Sequence, residues 1–175
     1  MGRALVEREP AASEIRVSEI RVKVADHALA AAGQQLVTIG LGSCVAIAIH
    51  APRARLGALA HVLLPDVSIA RDHGNPARFA DLAVPMLVAA LRRRGATEPL
   101  TAKLAGGAGM FAQLLRQGGI NMGARNAEAA RAALKLAGVT LLAEDTGGDY
   151  GRSVWFDPAT GTVTVRSLRG GDRVL

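Results

Sequence analysis

The chain has 175 residues, of which 50% are hydrophobic and 3% aromatic, and it carries a formal net charge of +6. This length supports one hydrophobic core and is short for two ordinary domains. The positive charge is not gathered into basic runs interleaved with aromatic side chains, and this distribution disfavours a nucleic-acid-binding protein.

The N-terminal region and the single cysteine bear on where the protein works. The first twenty residues include several charged side chains and no continuous apolar segment, so they do not resemble a secretory signal. The apolar stretches elsewhere are interrupted short of a membrane span, and one cysteine allows no internal disulfide. We expect a cytoplasmic protein with no direct membrane insertion, in a reducing compartment.

Periodicity along the chain predicts an α+β fold with helices packed against mixed sheets. Residues 1–16 form a polar tail without periodicity, which we expect to be mobile, and residues 17–175 are predicted to form a single domain. Asn75 and Pro76 are typical of a helix start, and Gly138 is typical of a helix end. The predicted strands are 18–25, 45–50, 56–64, 100–105, 139–144, 153–157 and 162–167, and the predicted helices are 76–94 and 124–137.

Two of the predicted strands flank the turn at 51–55 and form an antiparallel hairpin. If His50 pairs with Arg55 across this turn, Cys44 lies directly opposite His61. Directly opposed side chains share a face, with Cβ atoms about 4.5–5.5 Å apart, which is within reach of a thiol–imidazole hydrogen bond. The register therefore predicts that Cys44 contacts His61.

A cysteine beside a histidine indicates a thiol nucleophile and its base. An adjacent imidazolium favours the thiolate of Cys44, and a thiolate attacks carbonyl carbon. Thr38 is a candidate for orienting His61, because its hydroxyl can accept a hydrogen bond from the ring nitrogen that faces away from sulfur. The alternative is purely structural, with Cys44 as a small buried hydrophobe and His61 as a core histidine.

The glycine-rich segment before Cys44 predicts support for negative charge on a substrate. Gly40 and Gly42 lack a Cβ atom, so the backbone can bend sharply and, with Ser43, present amide N–H groups near the thiol. Such amides would hold the oxyanion that forms during acyl transfer through a thioester.

Two other segments resemble ligand sites. Residues 106–109 are rich in glycine but lack the Gly-Lys-Ser/Thr ending of a phosphate-binding P-loop. Asp145 is followed by paired glycines, but no nearby histidine or cysteine completes a metal site. We expect structural turns at both positions and no metal.

The motifs around these residues resemble those of the chemoreceptor glutamine deamidase family, CheD. The resemblance extends from about residue 22 to residue 168. It rests on six sequence motifs that occur in the same order, TIGLGSCVAIAI at 38–49, AHVLLP at 60–65, AKLAGGAGMF at 102–111, GARN at 123–126, EDTGGDYGR at 144–152 and TGTVTV at 160–165.

The resemblance implies a hydrolase that converts glutamine side chains of methyl-accepting chemotaxis receptors to glutamate without a cofactor. It implies that Cys44 is the nucleophile, His61 the base and Thr38 the third member of the catalytic group. It also implies a three-layer α/β/β sandwich and a substrate contact at Arg125 and Asn126, a pair that also suits the start of a helix. The cytoplasmic helices of the receptors are the expected partners, with a CheC-type phosphatase as a further candidate.

Two other functions stay open at this point. One is a non-catalytic binding module that docks a CheC-type phosphatase. The other is a cysteine peptidase or amidase of another specificity. Ammonia release that disappears in a folded Cys44→Ala variant would distinguish the deamidase from the binding module, and cleavage of the main chain would indicate the peptidase.

Overall fold

A computed structural model describes residues 17–109 and 120–175. The tail predicted at 1–16 lies outside the described residues. The last two residues of the AKLAGGAGMF motif, 110–111, also lie outside them. The described parts contain ten strands and two α-helices. They are β1 Ser18–Arg21, β2 His27–Ala31, β3 Gln34–Leu41, β4 Val45–Ala51, β5 Leu56–Val62, α1 Ala80–Arg93, β6 Thr101–Gly106, α2 Met122–Leu136, β7 Thr140–Thr146, β8 Arg152–Asp157, β9 Thr162–Arg166 and β10 Arg173–Val174.

The strands form two five-stranded sheets. The outer sheet has the strand order β1-β3-β8-β9-β10, and the central sheet has the order β2-β5-β4-β6-β7. In each sheet one pair is parallel, β1 with β3 and β6 with β7, and the remaining pairs are antiparallel. Both sheets are therefore mixed, and the predicted α+β class is confirmed.

The two faces of β4 show how the central sheet is covered. Val45 and Ile47 are fully buried in an apolar cluster that they share with residues of α1 and α2. Ala46 and Ala48 project to the opposite face, where they pack in a second cluster with Phe156 and other side chains of the outer sheet. The layers are thus helices, central sheet and outer sheet, which confirms the predicted three-layer sandwich.

The first predicted helix is divided in two. Asn75 caps a short 3-10 turn, Pro76–Arg78, and α1 begins only after it. The residue between them, Phe79, is fully buried and has an extended backbone, with φ −116° and ψ 134°, which interrupts the helix. α1 then continues through Pro85 as one helical segment.

The second helix, α2, begins two residues before its predicted start. Asn121 caps it by accepting a hydrogen bond from the Ala124 amide at 3.0 Å. Gly138 follows the C-terminal cap residue with φ +67°, as predicted. In the described part of the chain, neither helix is long and apolar enough to cross a membrane.

Candidate active site

The strands β4 and β5 form the predicted antiparallel hairpin, but in a different register. His61 lies opposite Ala46. The prediction that Cys44 lies directly opposite His61 is therefore wrong by two residues. Arg55 accounts for the difference, because it has φ +51° and belongs to the turn instead of the ladder.

Cys44 and His61 nevertheless share one face of the central sheet. Side chains alternate along a strand, so a register difference of two residues leaves every side chain on its predicted face. Cys44 immediately precedes β4, and His61 is the second-last residue of β5, which places both at the same end of the hairpin. Cys44 is 8% exposed and His61 is 0% exposed, and both lie on the face covered by the outer sheet.

His61 is held by a hydrogen bond from its ring to Thr38 in the outer sheet. The Thr38 hydroxyl lies 2.7 Å from His61 Nδ1 and also donates to the Val22 carbonyl at 2.7 Å. Because the hydroxyl has only one proton, Thr38 accepts from His61, and Nδ1 carries the ring proton. The other nitrogen, Nε2, is buried and has no hydrogen-bond partner among the described residues. The predicted thiol–imidazole hydrogen bond between Cys44 and His61 is therefore not formed in this structure, and Nε2 is free to accept a proton.

The chain turns from β3 toward Cys44 through a β-bulge at Gly40. The pairing of β3 with β8 shifts register between Ile39 and Leu41, and Gly40 between them has φ +81°. Residues that carry a Cβ atom rarely adopt this conformation, which makes glycine suited to the bulge. The bulge allows Thr38 to remain in the outer sheet while Cys44, a few residues later, leads directly into β4 of the central sheet.

The segment at the end of β6, here called the glycine loop (residues 106–108), supports the backbone around Cys44. The Gly107 amide donates to the Cys44 carbonyl at 2.7 Å, and the last residue of the loop donates to the Gly42 carbonyl at 2.8 Å. Gly106 has φ +110°, and a Cβ atom there would collide with the Cys44 carbonyl. The loop is thus a structural turn, and it fixes the segment that carries the predicted nucleophile.

The two predicted contact residues of the GARN motif differ in their exposure to solvent. Arg125 is exposed on α2, whereas Asn126 is fully buried. The side-chain amide of Asn126 donates to the Ser43 carbonyl at 2.8 Å and to the Leu63 carbonyl at 3.0 Å. Asn126 therefore contacts the backbone beside Cys44 and the backbone beside His61.

The predicted site residues lie in one region but differ in their contacts. Thr38 and His61 are hydrogen-bonded, and Cys44 is buried at the same face of the central sheet. Sequence reasoning missed the supporting contacts made by the Val22 carbonyl and the glycine loop. The AKLAGGAGMF motif could have indicated the role of the glycine loop, because it belongs to the same set of motifs as the one that contains the cysteine. The segment between Thr38 and Cys44 contains the remaining predicted support residues, Gly40, Gly42 and Ser43.

Burial opposes charge on both Cys44 and His61. It raises the pKa of the Cys44 thiol and lowers the pKa of His61 to about 4. Near pH 7 both groups are therefore neutral, so this structure does not favour the predicted thiolate–imidazolium pair. A neutral imidazole with an unprotonated Nε2 can instead take the thiol proton while sulfur attacks.

The turn after Asp145 is fixed by a buried ion pair. Arg152 Nη2 lies 3.0 Å from Asp145 Oδ1, and the two side chains are 1% and 7% exposed. Arg152 also donates to the Gly147 carbonyl at 2.8 Å, and the Gly147 amide donates to the Gly106 carbonyl at 2.9 Å. The turn thus braces the glycine loop. Within residues 17–109 and 120–175, no group of three or more His, Cys, Asp or Glu side chains is placed to hold a metal ion.

Known proteins share much of this sequence. A family model described as CheD chemotactic sensory transduction matches residues 63–167. The probable chemoreceptor glutamine deamidase CheD of Desulforamulus reducens is 41% identical over 159 residues, which cover 90% of this chain and 96% of that protein. The chemoreceptor glutamine deamidase CheD of Thermotoga maritima is 49% identical over 140 residues, covering 79% of this chain and 85% of that protein.

A likeness among solved structures is more distant. The Bacillus licheniformis hypothetical protein YfiH superposes with a TM-score of 0.46 at 14% sequence identity, over 71% of this chain and 51% of that chain. It bears on neither the fold nor the site.

Proposed function

Because the chain belongs to the CheD family of chemotactic sensory transduction, we propose that it is a protein-glutamine deamidase that acts on chemoreceptors. Two relatives with high identity over most of the chain are named for that activity. The observation that carries the proposal is the Thr38–His61 hydrogen bond. It leaves the unpartnered Nε2 of His61 buried at the face of the central sheet that also holds Cys44.

In the first half of the reaction, Cys44 forms a thioester with the substrate. Its Sγ attacks the carboxamide carbon of the glutamine side chain while His61 Nε2 takes the thiol proton. The leaving nitrogen then takes that proton from Nε2, the carbon–nitrogen bond breaks and ammonia departs. His61 is neutral before the attack, which its lowered pKa favours.

In the second half, water releases the product. His61 Nε2 takes a proton from water, and the water oxygen attacks the thioester carbon. The carbon–sulfur bond breaks, the proton passes from Nε2 to Sγ, and the side chain leaves as glutamate. The acid proton of the product passes to ammonia, so one glutamine and one water become one glutamate and one ammonium ion. The same steps would cleave a glutamyl methyl ester, with methanol leaving in place of ammonia.

Each half-reaction passes through a tetrahedral intermediate with negative charge on oxygen. We assign stabilisation of that charge to amide N–H groups of the segment from Gly40 to Ser43, which directly precedes the nucleophile. The Gly107 amide and its neighbour in the glycine loop are unsuitable, because they already donate to the Cys44 and Gly42 carbonyls. Their contribution is to hold the segment in place.

The substrate glutamine is expected on a cytoplasmic helix of a methyl-accepting chemotaxis receptor. Arg125 is a candidate for contacting the receptor, because it is exposed on α2 next to a residue that reaches the site. Asn126 is poorly suited to such a contact, since its side chain is fully buried and its amide group is occupied by two carbonyls.

Mass spectrometry of a receptor cytoplasmic fragment tests the proposal. Incubation with the wild-type protein should add about one dalton at discrete glutamines, because a carboxamide becomes a carboxylate. Cys44→Ala and His61→Ala should abolish the change, whereas His73→Ala, which alters an exposed histidine, should preserve it.

Other outcomes would contradict the proposal. An unchanged receptor mass with folded wild-type protein would contradict the proposed deamidase activity. Pulldown of a CheC-type phosphatase would then test whether the protein is a binding module. Cleavage of the receptor main chain would instead support a cysteine peptidase.

A further inference from the structure

Asn126 connects the two halves of the candidate site through its side-chain amide. Its Nδ2 donates to the carbonyl of Ser43, which precedes the nucleophile, and to the carbonyl of Leu63, which lies two residues after His61. Carbonyl oxygens only accept hydrogen bonds, so the NH2 group must lie between them and the orientation of the amide is determined. Both protons of one rigid group are thus used to hold two separate backbone segments.

The start of α2 is shaped to bring Asn126 to this position. Gly123 lies three residues earlier, on the same face of the helix. A Cβ atom at Gly123 would collide with the carbonyls of Gly107 and Ala108, so the helix rests directly on the glycine loop. The GARN motif therefore combines the close contact of Gly123 with the glycine loop and the buried side-chain amide of Asn126.

The remaining atom of the Asn126 side chain points to a function beyond stability. Its Oδ1 is buried and has no hydrogen-bond partner among the described residues. Burying an unpaired acceptor costs free energy, which offsets part of what the two donated hydrogen bonds contribute. The position thus carries a polar group at a cost in free energy, where α2 contacts the backbone next to Cys44 and the backbone that follows His61.

We propose that Asn126 is a positioning residue that sets the distance between Cys44 Sγ and His61 Nε2. It does so by holding the chain before the nucleophile and the chain after the base on one helix. This inference rests on the proposed roles of Cys44 and His61, and it adds a residue that acts through both without touching the substrate.

The test compares Asn126→Ala and Asn126→Ser with wild type in two measurements. The first is steady-state deamidation of a receptor fragment. Asn126→Ala should lower kcat about tenfold or more with little change in KM, because misplacement of a base relative to its nucleophile affects the chemical step. Asn126→Ser keeps one hydroxyl donor and should lie between alanine and wild type.

The second measurement is the rate of Cys44 alkylation by iodoacetamide as a function of pH, which requires no deamidase activity. In wild type the rate near neutral pH should depend on His61, because the neutral imidazole can take the thiol proton while sulfur attacks the reagent, and His61→Ala should remove that dependence. Asn126→Ala should shift the pH profile toward that of His61→Ala. This shift separates the positioning role from the proposed function, since it is expected even if the receptor fragment is not a substrate.

A matched control on the same helix is Asn121→Ala, which removes the α2 cap without touching either backbone segment of the site. It should lower the melting temperature yet leave kcat and the alkylation profile unchanged. A folded Asn126→Ala with wild-type kcat and wild-type alkylation profile would overturn the inference. If alanine prevents folding, the same two measurements on Asn126→Ser decide, and wild-type values there would overturn it.

Discussion

The Thr38 hydroxyl and His61 Nδ1 are 2.7 Å apart, although Thr38 belongs to the outer sheet and His61 to the central sheet. The hydrogen bond therefore crosses the space between two layers of the sandwich. It determines which ring nitrogen carries the proton, because the hydroxyl's own proton is donated to Val22. A conformational constraint from one sheet thus determines the chemistry available in the other.

Replacing Thr38 by valine should test this constraint, because valine has the same shape but no acceptor. Thr38→Val should lower kcat by about tenfold to a hundredfold, since the ring loses the partner that orients it for general base catalysis. It should also lower the free energy of unfolding by about 1–3 kcal/mol, because Nδ1–H is left buried and unpaired. Receptor deamidation and urea unfolding are the measurements.

Thr38→Ser is the control for that experiment, since it keeps the hydroxyl and should retain most of the turnover. Equal kcat values for Thr38→Val and wild type would show that the hydrogen bond has no part in catalysis.

Stability should fall in mild acid because of His61. Burial lowers its pKa from an ordinary value of 6.5 to about 4 in the folded protein. Between these values the unfolded chain binds more protons than the folded one, so the free energy of unfolding decreases as the pH drops from about 6.5 to about 4. The loss should approach about 3 kcal/mol.

Urea unfolding at several pH values, in wild type and in His61→Gln, isolates this effect. Burial also lowers the pKa of His50, which adds acid sensitivity of the same sign to both proteins. The difference between the two curves therefore belongs to His61, and parallel curves would contradict the prediction.

Gly106 should tolerate no side chain. Gly106→Ala combines a left-handed backbone with a collision against the Cys44 carbonyl, and it should destabilise the protein by about 3 kcal/mol or more. Because the collision displaces the nucleophile, kcat should fall as well.

Gly138→Ala provides the comparison for Gly106→Ala. Gly138 also has a positive φ, +67°, but a Cβ atom there would meet nothing within 4 Å. This variant should lose only about 1 kcal/mol and keep its turnover. Similar losses in the two variants would mean that contact with Cys44 does not matter.

The Asp145–Arg152 ion pair should matter far more than its exposed counterparts. Asp145→Asn leaves the buried Arg152 charge without its main partner and should cost about 3–5 kcal/mol. The Arg166–Asp172 pair spans 3.7 Å with side chains 58% and 67% exposed, so Asp172→Asn should change stability by less than about 1 kcal/mol. Chemical unfolding of both variants measures the contrast, and an equal loss would argue against it.

Face alternation was enough to place Cys44 and His61 on one side of a hairpin, but not to determine their register. The register depends on which residues form the turn, and Arg55 adopts a positive φ that its residue type does not indicate. The predicted side-chain faces are correct although the predicted register is wrong, because the two registers differ by an even number of residues.

Other elements depend on contacts that are distant in the sequence. Strand β2 has the sequence HALAA, which contains no β-branched residue, and it forms because it pairs with β5. Asn126 binds carbonyls that lie 83 and 63 residues away, so its partners follow from helix packing and not from local pattern. The neutral state of His61 likewise follows from burial, which the sequence alone does not quantify.

The complete burial of His61, beside a Cys44 that keeps 8% exposure, limits how protons enter and leave the site. In the proposed reaction the imidazole exchanges no proton directly with bulk water. It exchanges protons only with the sulfur of Cys44, the leaving nitrogen and the attacking water. The proton that departs with ammonia is then the one that began on the thiol. Each turnover restores it from the single water molecule that the reaction consumes.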